Sequence, residues 1–196
     1  KARRMEDLAG EIELRDFMVL QDHEQTHRID KLSFASGRHP DGTRFFNIRS
    51  DLIDGEMTGV FDLATAPKTL AQMFARQHPA FAAQMGMPAP DTTVLTDDYT
   101  MWLRIKNTEG FTNLFASDLD TLRDIYANAR VSARRGYSQM LLIAPFLKYG
   151  GLELQDVNLA WNGEPDSSFY NLRIPTAILS GKYQLPPLRL DGFLTD

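Results

Sequence analysis

The chain has 196 residues, a net charge of −5 and no cysteine. That length is enough for one domain with a real core. The missing cysteines exclude a disulfide framework and thiolate metal sites, and the mild acidity gives no electrostatic case for nucleic acid as a partner. No segment is apolar for long enough to span a bilayer, since the longest apolar run, Met140–Leu147, is strand-length and contains Pro145.

The chain-order reading begins with "IELRDFMV", Ile12–Val19. Its apolar residues alternate with polar ones, the signature of a half-buried strand, but the parity slips at Asp16. Ile12 and Leu14 are even, whereas Phe17 and Val19 are odd. The same slip recurs in "LELQDVNL", Leu152–Leu159, where Leu152 and Leu154 give way to Val157 and Leu159 across Asp156. A looser third copy is "LRLDGFL", Leu188–Leu194. A one-residue slip inside a continuing strand reads as a bulge or bend, so bent strands repeated in one elongated sheet are expected.

Between the first two strands lies "DHEQTHRIDK", which contains His23-Glu24-Gln25-Thr26-His27. The letters match H-E-x-x-H, two zinc-binding imidazoles one helical turn apart with a glutamate base. That geometry needs a packed helix, and Gln21–Arg28 holds no aliphatic residue. No third ligand is selected, although Asp54 and Glu56 are available. The segment therefore reads as an exposed, non-helical, metal-free connection between strands. A zinc hydrolase using His23, Glu24 and His27 is the enzymatic alternative, and no cofactor is expected.

Leu32 and Phe34 alternate with Lys31, Ser33 and Ala35, and Phe46 and Ile48 alternate with Asn47 and Arg49. His39-Pro40-Asp41-Gly42 is a turn between these runs, and Asp54-Gly55 is read as the next turn. Met57, Phe61 and Leu63 share a parity with Gly59. Residues 67–85 read as helix with Thr65 as cap, Pro67 at its first turn and Pro79 splitting it in two. Tyr99, Met101, Leu103 and Ile105 then form a clear strand face. One or two helical turns are expected near 110–125. Leu142 belongs to the long apolar run, Asn162–Asp166 reads as a loop, and Ser180-Gly181 as a hairpin turn.

Other chemistry-bearing residues have plain readings. His39 and His78 each precede a proline and suit turns. Asp97-Asp98 and Asp118, Asp120 and Asp124 lack the glycine and terminal glutamate of a calcium loop. Arg134-Arg135 is a short basic pair at a turn. No nucleophile elbow and no phosphate-binding loop is present.

"RFFNIRSDLIDGEMTGVFDLATAPKTLAQMFARQHPAF" resembles a recurring passage in TamB-like and AsmA-like envelope proteins, in the long form of Bacteroidetes. The likeness runs strand, Ser50-Asp51, a turn at Asp54-Gly55, the strand Thr58-Gly59-Val60-Phe61, then the helix Pro67–His78. "YTMWLRIKNTEGFTNLF" and "LLIAPFLKYGGLELQDVNLAW" are similar to later strands of that family. The resemblance implies a non-enzymatic, periplasmic segment of an inner-membrane-anchored protein, engaged in phospholipid transport between membranes or outer-membrane protein assembly. The partners it implies are phospholipid acyl chains, a BamA-type outer-membrane barrel and neighbouring strands of the same long chain.

The fold expectation is mainly β: an elongated, curved antiparallel sheet forming a groove, with short helices near 67–85 and 110–125. Residues 1–196 are expected to be one β-rich segment excised from a longer chain, because the sequence opens at Lys1 and stops in a strand-like run. The residues expected to line the groove are Ile12, Leu14, Leu32, Phe34, Phe46, Ile48, Met57, Phe61, Leu63, Tyr99, Met101, Leu103, Ile105, Leu142, Leu152 and Leu154. A purely structural β-spacer with a dry core is the remaining alternative.

Overall fold

The fold is taken from a computed structural model, which describes residues 9–21, 25–63, 65–84, 86–87, 95–106 and 121–195. The strands are β1 (Gly10–Gln21), β2 (Gln25–Arg38), β3 (Arg44–Ser50), β4 (Ile53–Val60), β5 (Asp98–Ile105), β6 (Thr121–Arg123), β7 (Ile125–Ser132), β8 (Tyr137–Tyr149), β9 (Leu152–Glu164), β10 (Ser167–Ile174), β11 (Thr176–Leu179), β12 (Tyr183–Leu185) and β13 (Leu188–Thr195). The helices are α1 (Ala66–Gln77) and α2 (Pro79–Gln84).

All thirteen strands join one open antiparallel sheet, whose main path is β1-β2-β3-β4-β5-β7-β8-β9-β10-β13. β11 and β6 pair onto β9 and β8 beside that path, and β12 pairs with β11. Neighbours in space are mostly neighbours in sequence, the meander that short turns enforce.

The turns show why the chain reverses where it does. In His39–Gly42, the Asp41 carboxylate accepts from the Thr43 amide at 2.9 Å and from its hydroxyl at 2.6 Å, and Gly42 takes a φ of 86°. The β3–β4 reversal lies earlier than the sequence suggests. Ser50 Oγ accepts from the amides of Leu52 and Ile53 at 3.1 and 2.9 Å, so the turn is centred on Asp51-Leu52. Asp54-Gly55 belongs to β4 instead. Gly55 serves packing there, since a Cβ would lie 3.0 Å from Leu103 and 3.1 Å from the Trp102 carbonyl oxygen. Asn162 and Gly163 likewise remain in β9, which leaves Pro165-Asp166 as the turn. Ser180 and Gly181 do form the β11–β12 hairpin, both left-handed at φ 53° and 64°.

α1 begins after Thr65 with Pro67 in its first turn, and Pro79 opens α2, as the sequence indicates. Thr65 does not cap α1 with its side chain. The expected helix near 110–125 is corrected where it can be seen. Thr121–Arg123 and Ile125–Ser132 are strands, separated by Asp124, and residues 107–120 lie outside the described residues.

The parity slips are real bends. Asp16 and Asp156 take φ values of 50° and 57°, and Asp124 takes 43°. Asp tolerates this left-handed region better than most side chains. The ladder continues in constant register past each bend. Arg15↔Lys31 and Phe17↔Ile29 flank Asp16, and Ala144↔Val157 and Phe146↔Gln155 flank Asp156. The same register sets Pro145 opposite both Asp124 and Asp156, and Pro175 opposite Asp156 on the other side. A single crease therefore crosses the sheet at one level. The third copy has no such bend, because Asp191 sits in an unbroken ladder opposite Asn171.

Candidate apolar groove

Residues paired across an antiparallel ladder project from the same face. Following the pairs across the main path gives Ile12, Phe34, Ile48, Gly55, Leu103, Ala127, Leu142, Leu159, Leu172 and Leu190. Every member of this row, from one sheet edge to the other, is apolar or glycine. The next row of the opposite face runs Glu11, Ala35, Asn47, Glu56, Trp102, Asn128, Leu141, Ala160, Asn171 and Asp191. The sheet thus has one apolar side and one mixed, largely polar side.

The crease keeps the apolar side continuous. Beyond it, Leu154 and Ala177 have the opposite sequence parity to Val157 and to Ile174's alternation, yet all pack in one cluster with Ala144. The slip at Asp156 and Pro175 therefore compensates the bend. Leu152 pairs with Tyr149 and Leu179 on this far segment. Ile29, Leu52, Ile105, Ala144, Val157, Ile174 and Ala177 are all buried near the crease.

One end of that side is plugged. α1 lies over it, and Phe61, Ala66, Met73, Tyr99 and Val131 form a closed core, with Phe46, Met57, Leu63, Leu70 and Met101 packed against it. Gly59 allows this, because its φ of 139° and missing Cβ let β4 pass within reach of the Asp98 carbonyl, where a Cβ would sit 2.2 Å away. The end of α1 is tied down by polar groups. Gln77 Nε2 donates to the carbonyls of Gly136 and Glu164 at 2.8 and 3.3 Å, and the Ser138 hydroxyl donates to Gln77 Oε1 at 3.2 Å. His78 Nε2 and the buried Ser168 hydroxyl share a 2.7 Å hydrogen bond. Phe74 meets Trp161 edge-on at 5.6 Å.

The expected lining residues therefore divide into groups. Ile12, Leu14, Leu32, Phe34, Ile48, Leu103 and Leu142 lie on the apolar side at the exposed first edge or in the half-buried middle. Phe46, Met57 and Met101 share that side but pack, together with Leu63, against the α1 core. Phe61 and Tyr99, at 5% and 1% exposure, are sealed within it and line no open surface. Phe61 and Leu63 also lie past the end of β4, so the strand face expected to carry them stops at Val60. Ile105 is buried at the crease.

Sequence reasoning missed Ala127, Leu159, Leu172 and Leu190. The clue in "IYANARVS" was diluted by alanines, although Ile125, Ala127, Ala129 and Val131 do alternate.

Burial of Tyr99, helped by the nearby Asp97 charge, pushes its phenol up to about 12. Its hydroxyl has no hydrogen-bond partner among the described residues. His27 lies in β2 opposite Val19, and Gln25–Arg28 is strand, so the helix required by H-E-x-x-H does not form there. His23 and Glu24 lie outside the described residues, as do Asp118 and Asp120. Among the described residues no group of three or more His, Asp or Glu converges as a metal site, and no helix is long and apolar enough to cross a membrane.

No family model, no curated protein and no solved structure matches this chain.

Proposed function

We propose that this chain is a non-enzymatic segment of a periplasmic cell-envelope protein, anchored in the inner membrane through another part of the same protein. Its apolar sheet side holds phospholipid acyl chains in transit between membranes, and the same surface can serve outer-membrane protein assembly beside a BamA-type barrel. One observation supports the reading: the apolar row from Ile12 to Leu190, uninterrupted across ten strands. A globular sheet buries such a side under a second layer, whereas among the described residues the helices cover only one end. An acyl chain laid along the row would gain about 0.8 kcal/mol per buried methylene.

Photocrosslinking residues placed at Leu103 and Leu159 in cells should capture phospholipid, while Arg104 and Asn158 on the opposite side should not. Equal capture at all four positions would instead favour a structural spacer. The hydrolase reading has lost its helix, and elemental analysis of the purified protein tests what is left of it. Stoichiometric zinc lost on His27→Ala would revive that reading.

A further inference from the structure

The polar side of the sheet carries a concavity that the groove does not use. Its volume is about 250 Å³, and it is lined by Glu56, Trp102, Tyr126, Asn128, Arg130 and Gln139 among others. β4, β5, β7 and β8 build it as a grid. Glu56, Trp102 and Asn128 form one row, and Thr58, Thr100, Arg130 and Gln139 form the next. Tyr126, opposite Arg104, closes the third.

The grid sorts its chemistry in a particular way. Two aromatic side chains stand on adjacent strands two residues out of register, so that a small ring-shaped ligand can touch both. One side of the Trp102 ring is already held, because the Arg49 guanidinium sits 4.8 Å over it. Arg49 also faces Glu56 at 3.9 Å, and these contacts restrict the indole's orientation. Around the rings stand an amide that is exposed, Asn128, a second exposed amide, Gln139, a carboxylate and a guanidinium. Among the described residues Asn128 and Arg130 have no side-chain partner, so their donors and acceptors face solvent.

We infer that this concavity binds a saccharide ring. A pyranose presents an apolar C–H face suited to stacking on an indole or phenol, and a rim of hydroxyls suited to planar amides and carboxylates that donate and accept in pairs. An acyl chain would leave these polar groups unpaired, at a cost. A phosphate would meet Glu56 beside the arginines. The volume lies under the ~300 Å³ at the low end for drug-sized ligands, which suits one sugar unit of a longer glycan rather than a compact metabolite. On this side β9 adds the amide of Asn158, whereas the Asn171 amide already donates to Asp191 and the Asn162 carbonyl oxygen is buried, so a glycan running across the strands would meet its next hydrogen-bonding partner at Asn158.

The test uses the whole chain carrying Trp161→Phe, so that Trp102 is the only tryptophan and its fluorescence reports on the site. The probes are chitotetraose and maltotetraose, titrated to millimolar concentration. Saturable change with at least one of them is expected, with weakening of tenfold or more in Asn128→Ala. Trp102→Ala, followed by NMR shift perturbation instead of fluorescence, should abolish binding while phospholipid capture at Leu103 persists. Absence of saturable binding to both sugars overturns the inference, and so does binding that survives Asn128→Ala and Trp102→Ala unchanged. Thermal melts of each variant separate loss of the site from loss of the fold.

Discussion

Tyr99 shows how tightly the plugged end of the sheet is packed. Its ring meets Phe61 edge-on at 6.2 Å, while its hydroxyl is buried without a partner among the described residues. The folded chain therefore keeps the phenol neutral up to about 12, whereas an unfolded phenol ionises from about 10. Between these values the unfolded state releases its proton first, so stability falls as pH rises from about 10 towards 12. Tyr99→Phe should shrink that alkaline loss and leave stability at pH 7 unchanged or raised by about 1 kcal/mol, since an unsatisfied polar group is removed. Urea midpoints at pH 7 and pH 11 measure both effects. A Tyr99→Phe chain much less stable at pH 7 would mean that the hydroxyl has a partner after all. Gly59 is the opposite kind of residue, chosen for what it lacks. Gly59→Ala should cost about 3 kcal/mol or more, because its Cβ would collide with the Asp98 carbonyl rather than with a flexible side chain. Gly42→Ala, which meets open space, should cost about 1 kcal/mol from its backbone angle alone. Comparable midpoints for these two glycine variants would contradict the close approach at β4. The packing role of Gly59 could not be read from the letters, whereas Gly42 sits in the turn that His39-Pro40-Asp41-Gly42 announces. In sequence Gly59 is one position of an alternating strand, and Asp54-Gly55 reads as a turn although it lies within β4, because a Gly that makes room looks the same in sequence as a Gly that reverses the chain.

At the scale of elements, local pattern carried far. The strand alternation, the Pro79 break and the slips at Asp16 and Asp156 were all legible, because each arises from neighbours along the chain. The turn at Asp51-Leu52 was not, since its hydrogen bonds come from Ser50, a residue that suits strands and turns alike. Nor was the docking of α1, which depends on the small residues Ser138, Gly163 and Ser168 arriving from three different strands. A Cβ on Gly163 would press within 2.4 Å of Gln77 Oε1. Gln77→Ala removes the groups that satisfy two backbone carbonyls and should destabilise the chain by about 1–3 kcal/mol. Hydrogen exchange should speed up most in 66–77. Unchanged protection there would mean that apolar contacts alone hold the helix. The bends make a second case. Asp156→Gly should change stability by less than about 1 kcal/mol, because strain relief offsets added freedom in the unfolded chain. Asp156→Val should cost about 2 kcal/mol, since a β-branched side chain opposes φ 57°. Equal stability of the two would show that the strand straightens without penalty.

For the molecule as a whole, the sequence conveyed a mainly β chain with one greasy face but not the extent of that face. Alternation within single strands says which residues share a side. Only pairing between strands says that Leu142, Leu159, Leu172 and Leu190 extend the row begun at Ile12. It also took pairing to show that Phe61 and Tyr99, prominent in the pattern, are spent on seating α1. The crease has a consequence for how such a chain can change length. Because the bends at Asp124 and Asp156 share one level with Pro145 and Pro175, material can be gained or lost there only in units that leave the level intact. Adding or removing a whole hairpin with equal arms preserves it. Deleting one residue between Asp124 and Pro145 would carry one strand's bend out of line and turn its remaining side chains to the wrong face. The sheet works like a ruled page folded along one line: whole lines can be inserted, but no word can be dropped without tearing the fold.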